Sequence, residues 1–261
     1  MKKIIWVDVG THFGQEYSSI FGSNYSFYSH IIRRFLGGKV LKRGRFVSFN
    51  GLKNIIHARS MIRKRSKEFY TVFIEANPKI VYKKNIYLNA DVVFNLALID
   101  NVQAPLSITK LYLGKEGAEL SQGSSVFSEN NAVDKDTFVT TMGASVNIFF
   151  HQLKLHIEVL YDDYEILLRL NCEGVEDDVI YSVYNIFGSK TKMICGSLND
   201  VERVKGLDAI QKLEKFMNEN KLSFVCFSPL IHSWPEAHTA IMNLLDKRGF
   251  KGSPAGDRKN K

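Results

Sequence analysis

Three carboxylates in this sequence stand at the ends of apolar runs, where a side chain is able to hold a ligand or to move a proton. The runs span residues 4–9, 70–74 and 166–171, and the carboxylates are Asp8, Glu75 and Glu173. An ionised carboxylate accepts hydrogen bonds from hydroxyl groups, and it acts as a general base when its pKa is near the working pH. The chemistry to expect is therefore binding of a hydroxyl-bearing ligand, with a proton acceptor beside it.

The first of these runs leads into two glycines, in the sequence VDVGTHFG that ends at Gly14. A continuous apolar run predicts a buried parallel strand, and Gly10 with Gly14 predicts a tight turn into a helix that lets the backbone approach a ligand. A dinucleotide-binding loop carries the pattern G-x-G-x-x-G to hold a pyrophosphate. Because this loop has fewer glycines and an acid before them, we expect a nucleoside-like ligand without phosphates.

The second and third runs supply further polar groups for the same site. The second ends at Glu75, whose carboxylate is suited to accept hydrogen bonds from both hydroxyls of a ribose, as the equivalent acid does in dinucleotide-binding folds. The third carries Arg169 as its one charge and continues into the sequence NCEGVE, from Asn171 to Glu176. The carboxyl ends of parallel strands meet at one edge of a sheet, so we expect these groups to line one pocket.

The rest of the chain provides the elements that must position these groups. At 261 residues and 45% hydrophobic content, it is long enough for one substantial core. Strand-like and helix-like runs alternate, which predicts an α/β fold with a doubly wound, mostly parallel sheet. We expect one domain over residues 1–248 and a disordered tail over residues 249–261. The expected helices lie at residues 25–36, 52–67, 79–88, 175–187, 201–220 and 237–248, and further strands at 92–96, 107–113, 192–196 and 222–227.

These motifs resemble those of the FkbM-type methyltransferases, a branch of the class I S-adenosylmethionine-dependent enzymes. The resemblance runs in order through VDVGTHFGQE, FIEANPKIV, VVFNLALID, the serine pair of QGSSVF, and LLRLNCEGVEDDVI, within residues 4–200. It implies a Rossmann-like methyltransferase fold, S-adenosyl-L-methionine as the cofactor, and methyl transfer to an oxygen acceptor. It also implies that the cofactor contacts are Asp8, Gly10, Thr11, His12, Gly14, Glu75, Ala76, Asn77, Asn95, Ala97, Ser124, Ser125 and Asn171.

Two departures from the family pattern bear on catalysis. Arg169 and Asn171 stand where the family usually has Lys and Asp, and an Asn side chain neither accepts a proton nor holds a metal as a carboxylate does. Glu173 and Glu176, three positions apart, are both able to face the pocket, although Glu173 is also placed to cap the next helix. We expect the catalytic groups among Glu173, His12 and Asn171, and we expect no metal ion. More distant histidine candidates are His151 and His232.

Most of the positive charge lies in one segment. The whole chain carries a net charge of +8, and residues 30–68 contain twelve Lys or Arg and one acid. This fold places the acid of its second strand about 20 residues after the glycine turn, and Glu75 lies much further on. We therefore expect a basic insertion within residues 22–69, with a hairpin at 39–49, that overhangs the carboxyl edge of the sheet. Its candidate contacts to nucleic acid are Arg33, Arg34, Lys42, Arg43, Arg45, Arg63, Lys64 and Arg65.

The sequence leaves more than one function open. The resemblance favours O-methylation of a hydroxyl on a saccharide or a saccharide-bearing molecule. The basic insertion favours one alternative, a nucleic-acid methyltransferase, and it also fits a solvated face without a partner. The departures at Arg169 and Asn171 favour another, a polyanion-binding scaffold that has kept the fold and lost turnover. No apolar run reaches the roughly 18 residues that span a bilayer, and the start MKKIIWVDVG has no cleavage-site pattern. We therefore expect a cytoplasmic protein with no membrane span.

Overall fold

A computed structural model describes residues 2–36, 47–100, 105–115, 123–228 and 230–246. The strands are β1 (Lys3–Val9), β2 (Phe69–Ile74), β3 (Val92–Phe94), β4 (Ala97–Ile99), β5 (Leu106–Gly114), β6 (Val133–Ser145), β7 (Tyr164–Leu170), β8 (Thr191–Gly196) and β9 (Phe224–Cys226). The helices are α1 (Gln15–Phe21), α2 (Asn24–Leu36), α3 (Phe49–Lys64), α4 (Pro78–Lys83), α5 (Val146–Leu160), α6 (Glu176–Phe187), α7 (Asn199–Lys205), α8 (Leu207–Glu219) and α9 (Trp234–Leu245).

The main sheet has six strands in the order β3-β2-β1-β7-β8-β9. Every neighbouring pair in it is parallel. Numbered along the chain within this sheet, the order is 3-2-1-4-5-6, which is that of a doubly wound fold. The predicted α/β class and doubly wound sheet are confirmed. The order reverses between β1 and β7, and in such sheets a ligand binds outside the carboxyl ends of the strands at this point.

Helices cover both faces of the main sheet, because successive strand residues point to opposite sides. In β1, Trp6 is buried among α1, α2, α3 and α9, whereas Ile5 and Val7 are buried among α5, α6, α7 and α8. Both faces of the strands are therefore apolar, as the continuous runs in the sequence indicate. The main sheet therefore lies between two helical layers, and its carboxyl and amino edges are left uncovered by them.

The basic segment contributes helices to one of these layers. Phe27 of α2 and Ile55 of α3 are buried in the same cluster as Trp234 of α9. Arg59 of α3 is also buried, and it donates hydrogen bonds to the carbonyl oxygens of Ser19 and Gly22 and to Asn24. The described part of the segment thus packs on the face of the sheet and not over its carboxyl edge. The hairpin predicted at residues 39–49 lies mostly outside the described residues, and so does the predicted tail at 249–261.

Several predicted elements differ from the structure. The helix predicted at 201–220 is two helices, α7 and α8, because Gly206 adopts a φ of 86° between them. The helix predicted at 79–88 ends at Lys83, and a 3₁₀ turn, Asn85–Asn89, follows it. A second sheet in the order β4-β6-β5 and the helix α5 were not predicted. Among the described residues, no helix is long and apolar enough to span a bilayer.

Candidate functional site

A cavity of about 390 Å³ lies at the carboxyl edge of the main sheet, where the strand order reverses. Its size is within the range of about 300–1,000 Å³ that is typical of small-molecule sites. One side is formed by the ends of β1, β2 and β7, and the other by apolar residues in and beside the second sheet. The predicted site residues that line it are Gly10, His12, Glu75, Ala76, Ala97, Ser124, Asn171 and Glu173, and the apolar wall includes Leu96, Leu98, Leu111 and Val126.

A wider groove of about 930 Å³ lies at the opposite, amino edge of the sheet. Several of its charged groups form ion pairs with each other, since Lys2 binds Glu165 and Arg65 binds Glu68. Doubly wound sheets bind ligands at the carboxyl edge. We therefore take the smaller cavity as the candidate site.

The turn after β1 joins three strands at the floor of the cavity. Gly10 has a φ of 72°, and a Cβ atom there would lie 2.1 Å from the carbonyl oxygen of Asn171. The Gly10 N–H donates to the oxygen of Ile74 at 2.9 Å, and the Asn171 N–H donates to the oxygen of Val9 at 3.0 Å. Only glycine allows β1, β2 and β7 to end this close together.

Arg169 is buried directly beneath this turn. The register of β1 and β7 places it opposite Asp8, and its Nη1 atom donates to Asp8 Oδ1 at 2.9 Å and to the Gly10 oxygen at 2.8 Å. Its Nη2 atom donates to Glu16. With only 1% of its surface exposed, Arg169 holds two buried carboxyls and the glycine turn in one network. Asp8 therefore lies below the cavity and not in its lining.

The charges in this network depend on one another. Burial raises the pKa of Asp8 and of Glu16, and the positive charge of Arg169 opposes that effect. Burial alone would lower the pKa of Arg169, but the carboxylates of Glu16 and Asp8 raise it. Arg169 thus stays charged. It is a structural cation that supports the floor of the cavity.

Glu75 connects the end of β2 to the glycine loop. Its Oε2 atom accepts the backbone N–H of His12 at 2.8 Å, and its Oε1 atom accepts that of Asn77 at 2.8 Å. Burial raises the pKa of Glu75, and these two N–H donors act against that effect. A carboxylate has about four acceptor positions, so Glu75 keeps capacity for two hydroxyl donors from the cavity.

His12 lies in the loop that Glu75 fixes. The residue has a φ of 49°, and its carbonyl oxygen accepts the hydroxyl of Tyr87 at 2.7 Å. Its ring contacts that of Phe13, with 3.9 Å between the ring centroids, and it lines the cavity. Hydrogen bonds to both the backbone N–H and the backbone carbonyl of His12 therefore fix this residue, and its imidazole lies at the edge of the site.

Glu173 is the second carboxylate in the cavity lining. Its backbone has a φ of 59°, and its carbonyl oxygen accepts the hydroxyl of Ser125 at 2.7 Å. Burial raises the pKa of its carboxyl to about 8, and the nearby carboxyl of Asp200 adds to this effect, while Arg203 opposes it. A carboxyl that titrates near neutral pH beside a cavity is suited to accept a proton from a ligand.

Glu176 does not face the cavity, contrary to the expectation from its spacing to Glu173. Its Oε1 atom accepts the N–H of Cys172 at 2.9 Å, and its Oε2 atom accepts that of Gly174 at 2.8 Å. Burial raises the pKa of this carboxyl to about 7. Glu176 thus closes the loop that carries Glu173, and the two acids have different tasks.

The remaining predicted contacts support the site from outside its lining. Thr11 donates its hydroxyl to the backbone carbonyl oxygen of Asp8 at 2.9 Å, and Asn95 donates its side-chain amide to the backbone carbonyl oxygen of Glu75 at 2.8 Å. Asn77 caps α4 by accepting the N–H of Lys79 at 3.0 Å. Gly14 is the N-cap residue of α1, and its missing Cβ leaves room for Ile86. The predicted contacts outside the lining are Asp8, Thr11, Gly14, Asn77, Asn95 and Ser125.

The more distant histidine candidates, His151 and His232, and the basic candidates lie away from the cavity. His151 is on α5, and His232 is in a 3₁₀ turn, and neither lines the site. Arg63 donates to Asn24, and Arg65 pairs with Glu68 and Asp246. No described residue of segment 22–69 lines the cavity, and Lys64 ends α3. The side chains of Arg33, Arg34, Lys42, Arg43 and Arg45 lie outside the described residues.

Two features of the site were not predicted from the sequence. Asp200, in the sequence GSLND just after β8, lies outside the cavity lining, but its carboxyl raises the pKa of Glu173, and the rule that polar residues at strand ends gather near the site could have found it. The apolar wall could not be found in this way, because it depends on how the second sheet packs against the first. Across the described ranges, no group of three or more His, Cys, Asp or Glu is arranged to hold a metal ion.

Comparisons with known proteins add little to this geometry. No protein-family model matches the chain, and no curated protein matches it. Among solved structures, the crystal structure of the GsuK RCK domain aligns at 10% sequence identity over 95% of this chain and 77% of that one, with a TM-score of 0.13. That score carries no argument about fold or function. The case for a function therefore depends on the cavity and its residues.

Proposed function

We propose that this protein is an S-adenosylmethionine-dependent methyltransferase that acts on a hydroxyl group of a saccharide or a saccharide-bearing molecule. The observation that carries the proposal is the pair of carboxylates, Glu75 and Glu173, that line one cavity at the point where the strand order reverses. Each has a separate task in methyl transfer to oxygen. One holds the ribose of the donor, and the other accepts the proton of the acceptor.

The ribose is assigned to Glu75 because of its position and its free acceptor capacity. An acid at the end of the second strand binds ribose hydroxyls in related doubly wound folds. The neighbouring wall of Leu96, Ala97 and Leu98 offers an apolar surface for the adenine ring. Because the turn at Gly10 lacks the glycine pattern of a pyrophosphate loop, a donor without phosphates fits best.

The methyl group is transferred in a single in-line displacement. S-adenosylmethionine would supply a methyl carbon activated by its sulfonium charge, and the acceptor oxygen would take this carbon as the bond from carbon to sulfur breaks and leaves a neutral thioether. The donor is already activated by its charge, so the protein needs mainly to align the two reactants and to exclude water. A hydroxyl must also lose its proton, and Glu173 takes that proton in our proposal. Asn171 and His12 border the same space and help to orient the reactants.

The alternative of a nucleic-acid methyltransferase draws no support from the described basic residues. Arg59 is buried, and the partly exposed Arg63 and Arg65 are engaged with Asn24, Glu68 and Asp246 of the same protein. None of these side chains borders the cavity. We therefore retain the saccharide acceptor, together with a cytoplasmic location, as the proposal.

Transfer of a radiolabelled methyl group tests the proposal. The protein is incubated with labelled S-adenosylmethionine and a cell lysate, which is then divided into glycan, lipid, RNA and protein fractions. We expect label in the glycan fraction or in glycan-bearing lipid. The matched control is Glu173→Gln, which keeps the shape of the side chain but cannot accept the proton, and we expect it to lose most of the signal. Label in RNA alone would overturn the saccharide acceptor, and donor binding without label in any fraction would favour a scaffold.

A further inference from the structure

A small pocket lies between α1, α2 and α9, beside the cavity of the candidate site, and its volume is about 130 Å³. Four aromatic rings line it, those of Phe13, Phe27, His30 and Trp234. The rings of Phe27 and His30 stack on that of Trp234, with 6.2 Å and 5.0 Å between the ring centroids. Phe27 and Trp234 are buried, whereas Phe13 and His30 are half-buried. This side pocket therefore has an aromatic floor and an aromatic rim.

The polar groups of the side pocket keep their capacity for hydrogen bonds. Gln15 and Ser18 of α1 and Ser26 of α2 line it. Within the described part of the chain, none of these three side chains forms a hydrogen bond with another residue. Ser19 also lines the pocket, but its hydroxyl donates to the carbonyl oxygen of Glu16. One amide and two hydroxyls are thus available to a ligand.

The side pocket adjoins the candidate site along two stretches of the chain. In the first, Gln15 lines both spaces, and the ring of Phe13 contacts that of His12 in the cavity, with 3.9 Å between the ring centroids. In the second, Ser228 lines the cavity and Trp234 lines the side pocket, and the Trp234 Nε1 atom donates to the Ser228 carbonyl oxygen at 3.0 Å. A molecule held in the side pocket is therefore a neighbour of a molecule held in the cavity.

The charges around the side pocket favour an uncharged ligand. Among the residues that the structure describes, no Asp, Glu, Lys or Arg lines it. Two cations touch its rings from outside the lining, with Lys84 at 4.2 Å from the centroid of Phe13 and Arg59 at 4.4 Å from that of Phe27. Arg59 is buried and already donates to backbone oxygens. A carboxylate or phosphate in the pocket would lose its water without gaining an ionic partner, which is costly.

These features match the chemistry of a single sugar ring. A sugar presents C–H groups that pack against aromatic rings, and hydroxyls that pair with the few polar groups of such a site. The pocket has the volume of roughly four water molecules at about 30 Å³ each, which seats one ring with its outer edge in solvent and leaves no room for a second.

We propose that the side pocket is the acceptor subsite and takes one uncharged sugar ring, with Gln15 between this ring and the methyl donor. The inference rests on the proposed function and narrows its acceptor, since it selects a neutral saccharide over an anionic one. Gln15 borders both spaces, so its amide is placed to orient the ring while the acceptor hydroxyl faces the cavity. Ser26 lines the side pocket and not the cavity, so it contributes to sugar binding alone.

Fluorine NMR of the full-length protein labelled with 5-fluorotryptophan tests the subsite without any methyl transfer. The chain has two tryptophans, so the spectrum has two signals, and Trp6→Phe assigns them. The probes are the methyl glycosides of glucose, galactose and mannose and the matching uronates, each at up to about 100 mM. We expect at least one neutral hexoside to shift the Trp234 signal saturably and to leave that of Trp6 in place. Its uronate, which differs only in the carboxylate, should bind about tenfold more weakly or worse.

Two variants with matched controls locate the sugar. Gln15→Met removes the amide, and we expect it to weaken hexoside binding about three- to tenfold. Gln211→Met, at an exposed position on α8, should have no effect. Ser26→Leu fills the pocket from its exposed rim and should weaken hexoside binding about tenfold or more, with unchanged affinity for S-adenosylmethionine. Ser29→Leu, on the same helix but outside the lining, should bind the hexoside as the unaltered protein does.

Steady-state methyl transfer to the hexoside that binds gives a further readout. If Gln15 orients the ring, Gln15→Met lowers kcat and raises the KM of the sugar. Ser26→Leu should raise the KM and leave kcat nearly unchanged. Equal KM and kcat in Gln15→Met and the unaltered protein would contradict the task given to Gln15.

The outcomes separate this inference from the proposed function. No shift of Trp234 with any neutral hexoside, equal binding of hexoside and uronate, or full hexoside binding in Ser26→Leu would each overturn the subsite. If S-adenosylmethionine binds and no hexoside does, the inference fails while the proposed function stands. If a hexoside binds in the side pocket and neither S-adenosylmethionine nor its demethylated product S-adenosylhomocysteine binds, the proposed function fails and the pocket stands as a saccharide site.

Discussion

The Oε2 atom of Glu75 lies 2.8 Å from the backbone nitrogen of His12 and accepts its N–H. This hydrogen bond connects residues 63 positions apart in the sequence and ties the end of β2 to the loop after β1. It means that Glu75 both shapes the site and borders the cavity. A change at Glu75 therefore affects the ligand directly and through the loop.

We expect Glu75→Ala to weaken binding of S-adenosylmethionine by roughly 1.5–3 kcal/mol, or about 10- to 150-fold. The change removes the hydrogen bonds to the ribose and leaves the N–H groups of His12 and Asn77 without that acceptor. Isothermal titration calorimetry measures the loss. Glu219→Ala, at an exposed position on α8, serves as the control and should bind as the unaltered protein does. Equal affinity in the two variants would mean that the ribose lies elsewhere.

We expect Gly10→Ala to lower the free energy of unfolding by about 2–5 kcal/mol and to abolish donor binding. The new Cβ would lie 2.1 Å from the Asn171 oxygen, so the ends of β1 and β7 would have to separate. Gly188→Ala is the matched control, because Gly188 also has a positive φ, but a Cβ atom there would meet no other atom within 4 Å. It should cost only about 1–2 kcal/mol. Urea denaturation measures both, and similar losses would show that the contact with Asn171 is unimportant.

We expect Arg169→Met to lower the free energy of unfolding by about 3–5 kcal/mol, because it leaves the carboxyls of Asp8 and Glu16 buried without a cation. Arg169→Lys keeps the charge and should cost less. Adding Asp8→Asn and Glu16→Gln to Arg169→Met should recover part of the loss, since the unpaired charges are then removed. Urea denaturation of the four proteins gives the comparison. No recovery in the triple variant would contradict the role given to this network.

Stability should fall as pH rises from about 4.5 to about 8, partly because of Glu173. The unfolded chain releases this proton near the ordinary pKa of 4.5, whereas the folded protein keeps it up to about 8. Between these values the folded state binds more protons, so a rise in pH favours unfolding, and the effect levels off above the folded pKa. Burial of Glu176, whose pKa is about 7, acts in the same direction.

Glu173→Gln removes this contribution without changing the size of the side chain. We expect it to have nearly the stability of the unaltered protein at about pH 5 and to be more stable by about 1–2 kcal/mol at about pH 8.5, after allowance for the partial exposure of Glu173. Urea denaturation at acidic, neutral and mildly alkaline pH measures the difference, with Glu219→Gln as the control. A constant difference across the three conditions would contradict the raised pKa.

The residues at the strand ends of the site could be predicted because the sequence pattern that indicates these strands is local. Three uninterrupted apolar runs predict buried parallel strands, and the carboxyl ends of such strands share one edge. This places Glu75, Asn171 and Glu173 together without any knowledge of their partners. The same pattern predicts the doubly wound sheet, and the structure confirms it.

The partners of these residues could not be predicted, because they depend on contacts between distant parts of the chain. Arg169 binds Glu16, 153 positions away, and nothing in the sequence near either residue indicates it. The second sheet was missed for a local reason. β6 runs directly into α5 at Ser145 with no turn between them, and the one nearby glycine, Gly143, lies inside the strand, so the sequence does not mark the change from a strand pattern to a helix pattern.

Above all, we propose that the cavity beside Glu75 and Glu173 binds a sulfonium nucleoside. Isothermal titration calorimetry of the unaltered protein with S-adenosylmethionine tests this most directly. We predict saturable binding of one molecule per chain with a Kd of about 1–100 μM, or roughly 5.5–8 kcal/mol, and competition by S-adenosylhomocysteine. Absence of binding of both compounds to the folded protein at millimolar concentration would contradict the account.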